Sequence, residues 1–419
     1  MYALALDLGT TTLAASLIEL PGGRRLAMTG SMNPQRRFGA DVVSRLDAAI
    51  HSDDVLREMS QSIRSEIRRL AAELCVTSGI PWPDIRQIAI AGNPAMQHIL
   101  LELPVKTLAF PPYRPLFTTG RHLTAAELGW GGDADVYLFP MPGGFVGGDT
   151  VAFLYGQLAS CHLSRTPALY LDMGTNGEIA LVSGDTIWAT SAAAGPAFEG
   201  GNLSCGMAAL PGAISSVCID GEKVRLTTIG VSVPIGICGS AAIETVVELL
   251  RHDLCELTGR LRDSVEIPSN LAGRLFTFKG ETAFTIYRDA SRQLLLTQSD
   301  IRQIQLAKGA IRAGIDVLID RSGIPFQALE DVVLTGSFGA VLKPEWLKSV
   351  GIFHTGMLQD IHFTPEGALT GAELALTAGD RFEGLEQMGR RFKVVPLSGT
   401  PLFEQKFMQH INFPIPDKE

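Results

Sequence analysis

The sequence predicts an α/β protein of two lobes built to a related design, and three features carry that reading. Two segments about 165 positions apart share one local grammar: Leu4-Ala5-Leu6-Asp7-Leu8-Gly9-Thr10-Thr11-Thr12 and Leu169-Tyr170-Leu171-Asp172-Met173-Gly174-Thr175-Asn176-Gly177-Glu178. Each reads as an apolar strand, a glycine turn headed by a carboxylate, and a second strand. A repeat at so long a period implies two lobes facing each other. Strand and helix patterns also alternate with short turns along most of the chain, the arrangement of the α/β class. Finally, 419 residues exceed what one core accommodates, and a composition 46% hydrophobic with a mean hydropathy of +0.19 supplies more than one.

Taken in order, the first repeat opens the chain, and its second strand continues as an apolar stretch to Leu20. A helix-rich stretch follows over about residues 39–74, then a short strand at Gln87-Ile88-Ala89-Ile90-Ala91. A Pro/Gly-rich region spans 110–148, and 149–158 reads as a helix passing from the first lobe to the second. After the second repeat, strands and helices alternate to about Asp320. Val332-Val333-Leu334 is a strand ending in a third glycine turn, Thr335-Gly336-Ser337-Phe338-Gly339. A helix near 365–378 and a strand near 393–396 close the chain. The expected division is a first lobe at 1–160, a second at 161–380, and a tail at 381–419 packing on the lobes.

Charge and cysteine usage narrow the function classes. A net charge of −9 disfavours non-specific binding to nucleic acid or to an anionic membrane surface. No apolar run approaches the ~18 residues that span a bilayer, and the N-terminus reaches Asp7 with no basic n-region before it. The six cysteines are scattered without a C-x-x-C pair, which supports neither a zinc site nor a ferredoxin-type cluster within one chain. These features predict a cytoplasmic protein with reduced thiols.

The repeated D-x-G-T turn is a phosphate clamp with a physical basis. Glycine lets backbone N–H groups approach phosphate oxygens closely, and the threonine hydroxyls add donors. Asp7 and Asp172, each ending an apolar strand, suit a hydrated magnesium ion, because hard cations take carboxylate and water oxygens. One such turn is as easily a structural hairpin; two, each opening a lobe, are far more specific. Glu178 and Glu199 are carboxylates able to orient or deprotonate an attacking water, or simply to cap a turn. On the helix over about 300–320, Ile301, Ile304, Ile311, Ile315 and Leu318 form one apolar stripe, with Lys308 inside it and Arg312 at its border. Lys308 is either a snorkelling core-edge lysine or a contact to nucleotide ribose or phosphate. After the strand at 87–91, Asn93 reads as a helix cap and His98 as a packed histidine, with a place at a cleft as the alternative.

These motifs resemble those of the acetate and sugar kinase/heat-shock/actin superfamily. Asp7 to Thr12 is similar to its phosphate-1 motif, Asp172 to Glu178 to phosphate-2, and Leu334 to Gly339 to the adenosine motif. Gly144 to Tyr155 and Gly367 to Leu374 resemble its two connecting helices. The resemblance implies an actin-like ATPase fold, duplicated ribonuclease-H-like domains with a nucleotide cleft between the lobes. Nucleotide contacts are then expected at Gly9, Thr10, Thr11, Thr12, Gly174, Thr175, Asn176, Gly177, Lys308, Gly336, Ser337 and Gly339.

A closer resemblance is to the reductive activators of corrinoid proteins, and it runs nearly end to end. It rests on Asn33-Pro34-Gln35, Phe38 to Arg45, Gly92-Asn93 with Met96 and His98, and Ala189 through Gly200, which adds Gly195 and Gly200 to the expected cofactor contacts. It rests further on Ser204 to Met207, Ile237 to Ser240, and Gln305 to Lys308 with Ala310 to Gly314. The resemblance implies ATP and Mg2+ as cofactors and ATP-driven reduction of cobalt(II) to cobalt(I) on a corrinoid protein or corrinoid-dependent methyltransferase. Such activators carry an N-terminal ferredoxin domain, whereas this sequence opens on the ATPase portion. No iron–sulfur cluster is therefore expected in this chain, and a separate ferredoxin-like donor would supply the electron. A homodimer is compatible with the sequence. The competing readings are a small-molecule kinase, against which no convincing base is found after Asn93, and a nucleotide-dependent binding or regulatory module without appreciable turnover.

Overall fold

The computed structural model describes residues 1–159, 167–230, 233–336, 342–354, 356, 361–380 and 382–415. The first elements are β1 (Tyr2–Leu8), β2 (Thr12–Glu19), β3 (Arg24–Met32), α1 (Val42–His51), α2 (Asp53–Ser78), β4 (Ile85–Gly92), α3 (Pro94–Leu100), α4 (Lys106–Ala109), β5 (Arg121–Thr124), β6 (Asp135–Leu138) and α5 (Gly148–Ala159). Then come β7 (Ala168–Met173), β8 (Gly177–Ser183), β9 (Thr186–Ala192), β10 (Ala213–Asp220), β11 (Lys223–Thr228), β12 (Gly236–Ile237), α6 (Gly239–Arg251), β13 (Leu275–Phe278), β14 (Glu281–Arg288), β15 (Gln293–Thr297) and α7 (Gln298–Ser322). The chain ends with β16 (Asp331–Thr335), α8 (Pro344–Ser349), β17 (Ile361–Phe363), α9 (Gly367–Thr377), α10 (Glu383–Gly389), β18 (Phe392–Val394) and α11 (Pro401–Gln409).

The chain forms two compact units. One comprises 1–166, 180–190 and 366–395; the other comprises 167–179, 191–365 and 396–419. Residues 366–395 thus join the first unit, and 396–419 the second.

In the first unit a six-stranded sheet runs β3-β2-β1-β4-β6-β5. Strand β1 lies between an antiparallel neighbour, β2, and a parallel one, β4, in the register Asp7↔Ala91 and Leu8↔Gly92. Its near-continuous apolar run follows from burial on both faces, with Ala3, Leu4, Ala5, Leu6 and Leu8 at most 1% exposed. Helix α2 contacts β2 and β3, while α5 and α9 contact β4. Gly371 lets α9 cross α5 at backbone distance, since a Cβ there would strike the Ala152 carbonyl. Capping places the ends of α2: Ser52 accepts the Val55 N–H, Asp53 and Asp54 occupy the first turn, and Gly79 closes the helix at φ 71°.

A second six-stranded sheet has the order β17-β16-β7-β8-β9-β18. Its β7 and β16 are parallel, with Asp172 opposite Thr335. The three-stranded sheets β11-β10-β12 and β13-β14-β15 lie in the second unit. Its long helix α7 begins at a Thr297–Asp300 capping box and ends at Gly323. On α6, the buried Glu244 and Glu248 each accept a backbone N–H from β10, of Val217 and Ile219, at 2.7 Å. Two carboxylates thereby satisfy alternate donors of one strand edge. No described helix is long and apolar enough to cross a membrane.

Candidate functional site

In the first unit the turn after β1 is held from behind by two asparagines. Gly9 is required because a Cβ there would sit 2.5 Å from the Thr12 carbonyl. Asn33, fully buried, donates its backbone N–H to the Thr11 carbonyl at 2.9 Å and its side-chain amide to the Gly9 carbonyl at 2.9 Å. Asn93 donates to the Thr10 hydroxyl at 2.9 Å while accepting the Met96 N–H as the cap of α3. It is cap and turn support at once. Asp7 is half-buried at the end of β1, Thr10 is buried, and Thr11 and Thr12 are progressively more exposed. Neighbouring His98 is a packed residue: it stacks on Phe117, accepts the Leu116 N–H at Nε2, and places Nδ1 2.8 Å from the Pro94 carbonyl. Burial lowers its pKa, and these bonds fix the neutral tautomer with the proton on Nδ1.

A further carboxylate follows a glycine pair that packs on Gly92 and Asn93. The Gly147-Gly148-Asp149 segment packs directly on the end of β4, where a Cβ on Gly147 would lie 2.6 Å from the Asn93 Cα and 2.7 Å from the Gly92 carbonyl. Asp149 opens α5 with an oxygen 2.8 Å from the Thr150 N–H. Burial pushes its pKa up to about 6, against the lowering by the Thr150 and Asp149 N–H groups. A helix N-terminus ordinarily favours the ionised form, so desolvation wins here. Sequence reasoning took Asp149 as a helix start only. Its signal was the glycine pair placed directly before an acid at a helix opening.

In the second unit, Asp172, next to last in β7, lies in register with Thr335 at the end of β16. Gly336 has φ 132°, and a Cβ there would meet the Met173 carbonyl at 2.9 Å. Thr175 donates to Glu199 at 2.6 Å, and Ser191 donates to Glu178 at 3.2 Å. Gly174 donates its N–H to the Asn176 carbonyl at 3.0 Å, closing the turn, and Gly177 opens β8 beneath Ile311 of α7. Gly195 and Gly200 bracket the short helical turn Pro196–Glu199 that carries Glu199. Asp172, Thr175, Glu199 and Gly336 are therefore brought to one region of this unit. Ser337 and Gly339 lie outside the described residues.

Lys308 lies elsewhere in the contacts of α7. It is 1% exposed, donates to the Asn412 carbonyl, and sits 5.3 Å from the centre of the Phe413 ring. Burial, with the nearby Arg312 charge, lowers its pKa to about 7. Arg312 pairs with Asp316 at 2.9 Å, and Asp316 pairs with His410 at 2.7 Å, so the C-terminal segment is tied to this helix by polar contacts.

No group of three or more described His, Cys, Asp or Glu residues is arranged to hold a metal ion. Magnesium is commonly held by one or two carboxylates plus substrate phosphates and water. Asp7 and Asp172 are half-buried carboxylates near strand ends.

Residues 2–160 match the family described as the RACo middle region, and residues 166–419 match the C-terminal domain of RACo, the ASKHA domain. The chain belongs to the RACo family. This RACo-family chain is 30% identical, over 99% of its length, to the corrinoid activation enzyme RamQ of Eubacterium limosum, of which it covers 70%. It is 27% identical, over 84% of its length, to the [Co(II) methylated amine-specific corrinoid protein] reductase of Methanosarcina barkeri, of which it covers 65%. A solved reductive activator for corrinoid, iron–sulfur protein superposes with a TM-score of 0.87 at 28% identity, covering 99% of this chain and 66% of that one. The chain spans about two thirds of the length of these relatives. The fold is thus the actin-like ATPase fold of the reductive activators, as the motifs imply.

Proposed function

We propose that this chain binds Mg-ATP, hydrolyses it, and couples turnover to reduction of a cobalt(II) corrinoid to cobalt(I) on a partner protein. The observation that carries the reading is the match of 99% of the chain to a corrinoid activation enzyme. The supports within the structure are the two carboxylate-headed turns and the Asp149 carboxylate. The turn at Gly9–Thr12, its carbonyls tied down by Asn33, would hold phosphate oxygens, with the Thr10 hydroxyl oriented by Asn93. Gly174–Gly177 would hold the remaining phosphates, and Gly336 would let the adenosine lie on the backbone. Asp7 and Asp172 would hold magnesium, which when bound offsets charge on the phosphate oxygens. Asp149, Glu178 and Glu199 are the acids available to take a proton from the attacking water, and Asp149, raised to about 6, lies near the value such a base requires at neutral pH.

Reduction of one corrinoid takes one electron, which a separate ferredoxin-like donor supplies in this reading. The partner is a corrinoid protein or corrinoid-dependent methyltransferase, and the setting is cytoplasmic. Asp149 also supplies the base that a small-molecule kinase needs, so that alternative is decided by experiment. The test is phosphate release from Mg-ATP with and without a corrinoid methyl-transfer protein, followed alongside cobalt(I) absorbance with a chemical reductant. Stimulated release, lost in Asp172→Asn, is expected. ATP bound but not turned over, with or without the partner, would leave a binding module; transfer of phosphate to a small molecule instead of water would make the chain a kinase.

A further inference from the structure

Behind the first turn lies a buried cation that makes no ion pair among the described residues. Arg45, on α1, is fully buried. Its Nε donates to the Gly39 carbonyl at 3.0 Å and its Nη1 to the Met96 sulfur at 3.4 Å, both neutral acceptors. Its Nη2 is buried with no hydrogen-bond partner. None of the described ion pairs includes Arg45. The adjacent acid, Asp41, is exposed and spends its carboxylate capping α1, accepting the Ser44 N–H at 2.8 Å. Arg45 also occupies the first turns of that helix, the end that repels positive charge. Burial, opposed only in part by the charge of the exposed Asp41, lowers its pKa to about 10, so it stays charged at neutral pH. One ordered water can satisfy Nη2 but cannot neutralise the charge.

A buried charge left unpaired is strongly destabilising, so its retention points to an anion that arrives with a ligand. The direction in which that anion lies follows from Met96. Its sulfur takes Arg45 Nη1 on one side and Asn33 Nδ2, at 3.6 Å, on the other. The same Asn33 nitrogen holds the Gly9 carbonyl of the turn. One thioether therefore separates the guanidinium from the amide that shapes the turn.

We propose that Arg45 is the electrostatic anchor of the Asp7–Thr12 turn, a positioning residue whose missing counter-charge is the phosphate bound there. The inference rests on the phosphate-binding reading of that turn. Arg45 touches no ligand; it sets the field behind the turn and braces Asn33 through Met96.

The test uses the full chain with three probes, Mg-ATP, Mg-ADP and adenosine, and two variants. Arg45→Met removes the charge at similar length, and the Gly39 carbonyl it releases is partly exposed and can bind water. Arg45→Lys keeps the charge and loses the planar donors. Expected for Arg45→Met is a ligand-free melting temperature equal to or above wild type, an affinity for both nucleotides weakened about tenfold or more, and unchanged affinity for adenosine. Arg45→Lys should keep most of the nucleotide affinity. A lowered ligand-free melting temperature with wild-type nucleotide affinity would make Arg45 a packing residue and overturn the proposal. Equal weakening for adenosine would do the same. If Arg45→Met does not fold, Arg45→Lys decides, since loss of nucleotide affinity in that variant contradicts an effect carried by charge. Absence of nucleotide binding in the wild-type chain would overturn the reading of the turn itself, and the anchor with it.

Discussion

The two D-x-G-T turns open alike in sequence and are supported in opposite ways. In the first, amides do the holding: Asn33 binds the Gly9 and Thr11 carbonyls and Asn93 binds the Thr10 hydroxyl. In the second, carboxylates do it: Glu199 accepts from Thr175 and Glu178 from Ser191. Amides orient donors without adding charge, although the Asp7 carboxylate heads this turn too. Acids beside the second turn repel phosphate unless a cation intervenes. On the proposed reading, binding at the second turn would depend more on a cation than binding at the first.

The largest effect expected from this contrast lies in the first unit, at Asp149. Asp149→Asn keeps the shape of the α5 start but removes the proposed base, whose pKa is raised to about 6. Turnover should fall by about 10²–10⁴, with the affinity for Mg-ATP within a few-fold of wild type, as read by phosphate release and calorimetry. Turnover retained in this variant would leave Glu178 or Glu199 to take the proton and move the chemistry to the second turn. Next in size is Asn33→Ala, which frees two groups of a buried network, the Gly9 carbonyl and the Gln35 N–H. Each such loss costs about 1–3 kcal/mol, so Mg-ATP affinity should drop about tenfold or more, with ADP affected equally. Glu199→Gln should do less and something different. The amide oxygen can still accept from Thr175, but the charge is gone. Nucleotide binding without magnesium should then tighten several-fold while turnover declines; weaker binding in magnesium-free buffer would contradict the contrast.

How much of this was legible depended on sequence distance. The turns themselves are local, and a carboxylate, a glycine and threonines at fixed offsets identify them wherever the chain goes next. What holds them is not local. Asn33 meets Gly9 across 24 positions and Asn93 meets Thr10 across 83, and nothing in the spacing of an asparagine announces a partner so far away. The grouping of 366–395 with the first unit has the same cause, since α9 contacts β1 and β18 pairs with β9. Arg45 left a trace that went unread. It stands among Val42, Leu46 and Ala49, all buried on one helix face, so the period alone placed a charge inside. For Lys308 the stripe put the residue on the apolar face, but neither a snorkelling head group nor a nucleotide contact anticipated its Asn412 and Phe413 partners, about a hundred positions downstream.

Those two buried cations extend the comparison to the cores behind the turns, and they yield the smallest effect expected here. Arg45 and Lys308 are each at most 1% exposed, one in each unit. The guanidinium keeps its charge at neutral pH, while desolvation, with the Arg312 charge nearby, lowers Lys308 from 10.5 to about 7. The folded pKa of Lys308 is thus below its unfolded value, the reverse of a lysine that gains a carboxylate. Between about pH 7 and 10.5 the unfolded chain binds the extra proton, so native stability rises with pH across that window, by at most about 1.4 kcal/mol per pH unit from this group. Below pH 7 both states hold the proton, the full cost of burying the ammonium is present, and the slope vanishes. Urea unfolding of the wild type and Lys308→Met from pH 6.5 to 9.5 isolates the difference, because the remaining titrations are common to both. The wild type should gain on the variant as pH rises, whereas Arg45→Met, in which the lost group does not titrate in this range, should run parallel to wild type. Parallel curves for Lys308→Met would mean that the Asn412 carbonyl and the Phe413 ring hold the ammonium charged throughout, and the two units would then carry the same kind of buried cation.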